Sequence, residues 1–344
     1  MFLETKHALL RNGGRLGVIV PSGVYTDKGS SDLRALFLER CDWHWLFGFE
    51  NKLGIFDIHR SFKFCPVIVQ KGGATDFIRT AFMRHDLRDW EDAERFVLPY
   101  HKEQVAKFSP NTRSILEVRT TRDLEILEKI YSNSVLLGDQ GPDGWGIQYA
   151  TEFHMTNDSK LFKPRPWWEA QGYVADEYGR WLKGAWKERT AKSAAPPEAK
   201  RHTLAPGVIL SQDKTKWIHE KEIEDVALPL YEGRMIGQFD FSQKGWVKGK
   251  GRSAEWREIP WEEKVFEPQY LIEEKLVRKN ETIPENSIVF MDICSATNIR
   301  TMYSTFKKYY PAGHTAPTFS NVNENNLLSM ISVFNSYVYD YLLR

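Results

Sequence analysis

Between Lys244 and Arg257 the chain sets Lys244, Lys248, Lys250, Arg252 and Arg257 against a lone Glu255, with Trp246 and Trp256 among them and Gly245, Gly249 and Gly251 between. Cations interleaved with flat aromatic surfaces, on a backbone that can come close to a ligand, suit phosphate tracking with contacts in a groove. The reading that needs no ligand is a charged surface hairpin. Further on, Thr297-Asn298-Ile299-Arg300-Thr301 offers Asn298 and Arg300, the side-chain types that pair two-pronged with adenine and guanine edges. A turn closed by Asn298, with Arg300 in an internal ion pair, is its competitor. Lys307, Lys308 and His314 follow in a loop-like stretch and suit phosphate better than bases. Glu262-Glu263-Lys264 and Glu273-Glu274-Lys275 have the acid-x-Lys form of a nuclease metal site, but without a placed partner carboxylate they read as solvated faces.

Other chemistries are missing. No G-x-G-x-x-G follows a strand, and there is no P-loop, no H-E-x-x-H and no G-x-S-x-G. The glycine-rich Gly141 to Gly146 reads as a loop. Pro196-Pro197 is preceded by Ala195 and followed by Glu198, so it is not an Asn-Pro-Pro-aromatic element. Cys41, Cys65 and Cys294 are odd in number and lie far apart, which predicts buried reduced thiols, without disulfides or structural zinc. With Lys+Arg 47 against Asp+Glu 46 the formal net charge is +1, so no global basic field advertises nucleic acid and any such signal is local. No apolar run approaches the roughly 18 residues of a membrane span, and the N-terminus lacks a signal peptide's apolar region, so a cytoplasmic protein with no membrane partner is expected.

The 344 residues suggest about two domains. Phe2, Leu3, Lys6, Leu9 and Leu10 predict a helix stopped by Gly13-Gly14; Arg15 to Val20 a buried strand; and Ser30-Ser31-Asp32 the cap of a second helix. Trp43 to Phe49 and Phe62 to Gln70 are too close for a crossover helix and predict an antiparallel pair with a long tip loop, the second run demoted toward an edge or bulge by Pro66. Asp76 to Phe82 reads as a strand and Asp123 to Tyr131 as a short helix. Past about residue 136 the texture changes: nine of the twelve tryptophans fall between Trp145 and Trp261, among Gly/Pro punctuation and short strands. The expected domains are therefore 1–135 and 136–344, the second β-rich. Arg180 to Thr203, with seven Lys/Arg against two Glu, reads as a solvated insert. Leu327, Leu328, Ile331, Phe334, Val338, Tyr341 and Leu342 predict one C-terminal helix packed along one face.

Gly13 to Ser22 (GGRLGVIVPS), Leu33-Arg34, Phe49-Glu50-Asn51-Lys52, Phe56 and Phe62-Lys63-Phe64-Cys65 resemble the C-terminal part of the catalytic domain of adenine-N6 DNA methyltransferases. The similarity is to the type IIG restriction–modification enzymes and related phage-defence methylases. Met155 to Phe162 (MTNDSKLF), Leu230 to Ile236 (LYEGRMI), Thr297 to Thr301 and Asn335 to Arg344 (NSYVYDYLLR) resemble the TaqI-like specificity domain that follows in that family. The resemblance runs along nearly the whole chain, with its pieces in the family's order.

That resemblance implies an α/β plus α+β protein: the C-terminal part of a Rossmann-like methyltransferase sheet, then a β-rich target-recognition domain with a C-terminal helix. The family's glycine-rich S-adenosylmethionine loop and Asn-Pro-Pro-Tyr element lie upstream of the strand that here begins at Arg15. The expectation is thus a DNA-recognition portion that uses S-adenosylmethionine only in a parent enzyme, with no cofactor or metal bound by this chain alone. The partners implied are double-stranded DNA and a catalytic half or subunit. A trans-acting specificity subunit is the second reading, and an aromatic-rich glycan- or nucleotide-binding module the third. Phe56 matches the family aromatic that stacks on the extruded adenine, so no catalytic set is complete here. His59, Arg60 and Lys63 beside it suit phosphates near such a nucleotide. Trp167, Trp168 and Trp181 fit a core better than base stacking.

Overall fold

A computed structural model describes residues 2–142, 144–189, 198–199, 203–204, 206–280, 283–295, 298–320 and 324–343. Ala195, Pro196, Pro197 and Thr297 lie outside the described residues, as does the side chain of Arg252. The chain divides into two compact units, Met1–Val135 and Leu136–Arg344. Among the described residues no helix is long and apolar enough to cross a membrane.

In the first unit a helix (Phe2–Leu9) leads into β1 (Arg15–Pro21), and a helix over Ser31–Arg40 leads into β2 (Cys41–Glu50). β3 (Lys63–Lys71), β4 (Phe77–Arg84) and β5 (Leu98–His101) complete a sheet ordered β1-β3-β2-β4-β5. β3 runs antiparallel to both β1 and β2, as the short connection requires, while β2 and β4 are parallel. The Gly72-Gly73 pair, at φ 84° and 88°, turns the chain out of β3 where side-chain-bearing residues would be strained. Phe37 of the Ser31–Arg40 helix meets Trp43 of β2 edge-on at 5.5 Å, both without exposed surface, and Leu46, Val67, Val69, Ile78 and Tyr100 continue this core. Arg34 is equally buried: its guanidinium donates to the carbonyls of Val24, Asp27 and Thr112 at 2.6–3.1 Å. A helix at Thr121–Ser132 opens on a reciprocal cap between Thr120 and Asp123.

Two strand expectations change. β1 is not a buried strand but the edge of the sheet, alternating between exposed and half-buried residues, with Ile19 56% exposed. An unbroken apolar run reads as covered on both faces whether or not the sheet continues past it. Conversely, Pro66 does not exile its strand: β3 is interior, and Pro66 pairs with Ile19 in the ladder to the edge strand β1.

The second unit is assembled from small antiparallel sheets. One joins Phe162–Pro164, Tyr270–Glu273, Ile223–Pro229, Trp181–Gly184 and Val174–Ala175 in that order; another joins Ser304–Lys307, Ser287–Phe290, Thr318–Ser320 and Gln148–Ala150. Lys244–Lys248 and Glu255–Glu258 form a separate hairpin. Trp168, Trp181, Tyr231, Phe266 and Leu271 fill one core; Ile288, Phe319, Met330 and Phe334 fill another. The expected insert begins inside a sheet: Trp181 and Leu182 are buried, and Lys187–Glu188 pairs with Lys216 and Trp217. The C-terminal helix is two helices, Leu327–Phe334 and Tyr337–Leu342. Between them Asn335 is buried, donating to Ser304 and Ile331, and Ser336 restarts the helix by accepting from the Tyr339 N–H at 3.1 Å. Leu328 and Val338, expected on the packed face, are 79% and 56% exposed: the first helix packs through Leu327, Met330, Ile331 and Phe334, and the break takes Val338 out of that helix's register.

Candidate nucleic-acid interface

In the first unit the loop after β2 is organised from beneath by Asn51, which has no exposed surface. Its amide donates to the Phe56 and Ile58 carbonyls at 2.9 and 3.0 Å, and its oxygen accepts from the Phe56 N–H at 3.0 Å. Gly54, at φ 72°, lets the loop reverse; a Cβ there would sit 2.2 Å from the Arg60 guanidinium. Phe56 is thereby held out in solvent, 40% exposed, with one edge against Phe64 at 4.9 Å. His59 and Arg60 are exposed beside it, His59 bonded to Ser61 at 2.7 Å and Arg60 to the Lys52 carbonyl at 3.2 Å. Lys63 departs from expectation: its ammonium sits 2.6 Å from Glu117 and 3.8 Å from Glu50, so its charge is neutralised inside the unit. Glu117 also accepts from the Tyr25 hydroxyl at 2.6 Å.

In the second unit residues 244–258 form a hairpin with Trp246 opposite Trp256 and Lys248 opposite Glu255. Lys248 and Lys250 project into solvent, and Lys248 lies 3.4 Å from Glu255 in an exposed pair. Such pairs contribute about 0–1 kcal/mol and leave the lysine free to exchange partners. Arg257 instead forks onto Glu267 at 2.6 and 2.8 Å. Gly245 serves that contact, since a Cβ there would lie 2.1 Å from the Glu267 carboxylate. Trp246 is buried, its indole N–H donating to the Gly249 carbonyl at 2.9 Å.

The remaining candidates divide. Asn298 is exposed and donates to the Cys294 sulfur at 3.0 Å. Arg300 is not available to a base edge: it is 7% exposed, donates to the Asn335 carbonyl and stacks over Tyr337 at 4.1 Å. Lys307 is not available to phosphate: without exposed surface, it pairs with buried Glu152 at 2.8 Å and donates to the Tyr310 carbonyl. Lys308 is exposed. His314 stacks on His154 at 4.6 Å and accepts from the Met155 N–H. Lys264, in the acid-x-Lys element, is buried against Asp240 at 2.6 Å, and among the described residues no group of His, Cys, Asp or Glu is arranged to hold a metal.

Sequence reasoning did not find the cleft beside this hairpin. About 480 Å³ in volume, it is lined by Met155, Glu232, Arg234, Trp256, Tyr270 and Met291 among others, and adjoins a second hollow of about 440 Å³ that Lys244 and Asn298 line. Burial pushes the Glu232 carboxyl up to about 7, against the opposing pull of Arg234. The conspicuous signal was Glu232 between an apolar strand and Gly233-Arg234, within a segment read only as a family resemblance.

Neither a protein-family model nor a curated protein matches the chain. Among solved structures it is similar to a modification subunit of a putative type I restriction enzyme from Vibrio vulnificus YJ016, at 17% identity over 34% of this chain and 29% of that one, with a TM-score of 0.25. It is similar to the M protein of the type I restriction enzyme EcoKI, at 18% identity over 45% and 30%, TM-score 0.22. It is similar also to the type IIG restriction endonuclease BpuSI, at 10% identity over 98% of this chain and 38% of that one, TM-score 0.29. The matches thus span well under half the length of those structures.

Proposed function

We propose that the chain is the DNA-recognition portion of an S-adenosylmethionine-dependent adenine-N6 DNA methyltransferase of a restriction–modification or phage-defence system, working in the cytoplasm on double-stranded DNA. The observation that carries this reading is the Asn51-braced loop, which spends a fully buried amide on holding an exposed Phe56 in a loop that also exposes His59 and Arg60. An enzyme acting on a base needs such a flat apolar surface for the extruded nucleotide. Exposed Lys248, Lys250 and Lys308 supply phosphate contacts that a net charge of +1 conceals.

In this reading the chain itself binds no S-adenosylmethionine, and the described turn after β1 supports that. After β1 the chain enters a single helical turn, Gly23–Thr26, whose Gly23 is closed over by Asp27, where a Cβ would meet Oδ2 at 2.4 Å. No glycine cradle is offered there, and the chain by itself transfers no methyl group in this reading.

The test is duplex binding followed by fluorescence anisotropy. Binding at low salt should weaken steeply as salt rises, and Phe56→Ala should lower affinity for a duplex carrying an unpaired adenine about tenfold, in line with base–aromatic stacking. Salt-independent binding, or methyl transfer to plasmid DNA by the purified chain, overturns the reading. A second reading, a specificity subunit acting in trans, is favoured by the β1 edge, whose unpaired backbone and 56%-exposed Ile19 suit a docking strand. Co-purification with a protein bearing the cofactor loop and an Asn-Pro-Pro-aromatic motif is its test.

A further inference from the structure

Glu232 and Trp256, which both line the 480 Å³ cleft, each carry a buried polar atom without a hydrogen-bond partner among the described residues: Glu232 Oε1, an acceptor, and Trp256 Nε1, a donor. Buried polar groups are ordinarily satisfied, and an unpaired acceptor and donor on two residues that line one hollow ask for a ligand that presents the reverse. Met155, Met291 and Tyr270 also line the hollow, which makes its walls soft and flat. Arg234, exposed at the same cleft, adds a cation. The position of Glu232 is built: Gly233 donates to the Thr315 hydroxyl at 3.2 Å and comes so close that a Cβ would sit 2.4 Å from the Thr315 carbonyl.

We infer that this cleft is a binding site for an amine-bearing nucleobase, adenine or cytosine, whose exocyclic amine donates to Glu232 and whose adjacent ring nitrogen accepts from the Trp256 N–H. An amine projecting from the ring edge reaches an enclosed carboxylate oxygen. The N3–H of uracil or thymine is recessed between two carbonyl oxygens, which would face that carboxylate. Arg234 takes the attached phosphate and contributes to every nucleotide alike. The site stands on orphaned atoms of the second unit and does not require the Phe56 reading. The base can arrive as a free nucleotide or within a single strand.

The experiment titrates the full chain with CMP against UMP, and AMP against purine riboside 5′-phosphate, by tryptophan fluorescence and calorimetry. The amine is the chief variable in each pair. We expect the amine-bearing member to bind at least tenfold more tightly. Oligo-dC against oligo-dT separates the sources: discrimination in the oligomers alone assigns the site to a strand-borne base, and discrimination in mononucleotides assigns it to the free ligand. Glu232→Leu and Trp256→Phe should each erase most of the discrimination, while Arg234→Gln weakens both members equally. Equal affinity within both pairs and in the oligomers overturns the inference, and that measurement needs no variant. So does discrimination that survives in folded Glu232→Leu and Trp256→Phe. Salt-dependent duplex binding that persists while nucleobase discrimination is absent would leave the DNA reading standing and remove only this site.

Discussion

Lys307 and Lys248 are both strand lysines of the second unit, yet Lys307 has no exposed surface and sits 2.8 Å from Glu152, whereas the Lys248 side chain is 69% exposed in a loose pair with Glu255. Their neighbourhoods differ in the same way. Around Lys307, Arg300 reaches the Asn335 carbonyl, and Asp340 accepts from the Thr301 and Met302 N–H groups. Polar side chains there come from segments some 30 to 160 residues apart. Around Lys248 the pairing is local, within one hairpin. The comparison teaches that a cation can serve a ligand only where no remote segment brings it a carboxylate or carbonyl first.

The strongest way to break the comparison is Lys307→Ala. It leaves Glu152 buried without its cation and should cost about 3–5 kcal/mol of the second unit's stability, read by urea unfolding. A change below 1 kcal/mol would mean that Lys307 is no more embedded than Lys248. Next is the pH dependence of Glu232. Its carboxyl is raised from 4.5 to about 7 in the folded protein. The native state then holds the proton more tightly than the unfolded state, so this stability contribution is fully present below about 4.5 and is lost as pH rises through about 7. Glu232→Gln should remove that decline, on the order of 3 kcal/mol across the window, measured by thermal melting at fixed pH steps. Asn335→Ala follows at about 2 kcal/mol, since it opens Ser304 and frees the break between the two C-terminal helices. The smallest effect on stability belongs to Lys248→Ala with Lys250→Ala, within about 0.5 kcal/mol. That double variant should nonetheless lower the slope of log affinity against log salt by about 1.8 for duplex DNA, about 0.9 for each lost phosphate contact. An unchanged slope would place the hairpin outside any DNA interface.

How much was legible beforehand depended on how local the cause was. The antiparallel β2–β3 pair followed from a connection too short for a crossover, and the short helix expected over Asp123 to Tyr131 lies within Thr121–Ser132. The exposed Phe56 loop carried a local signature in Asn51 and Gly54, and at 244–258 the hairpin entered only as the reading that needs no ligand. Burial of β1 was misjudged because an apolar run does not say where a sheet ends. The C-terminal helix was misjudged because Asn335 and Ser336 break a heptad-like apolar pattern with hydrogen bonds that only Ser304 and Tyr339 complete.

Composition, periodicity and ordered motifs by themselves determined an α/β first part and a β-rich second part, because helix caps, strand alternation and turns act over a few residues. Only the tertiary structure decided which charges are spent internally. Lys63 meets Glu117, Arg300 meets Asn335 and Lys307 meets Glu152 across long stretches of chain, and the Glu232–Trp256 cleft exists only once their separate segments are packed together. The physical reason is that desolvation and ion pairing depend on what surrounds a group in space, which its neighbours in sequence do not specify.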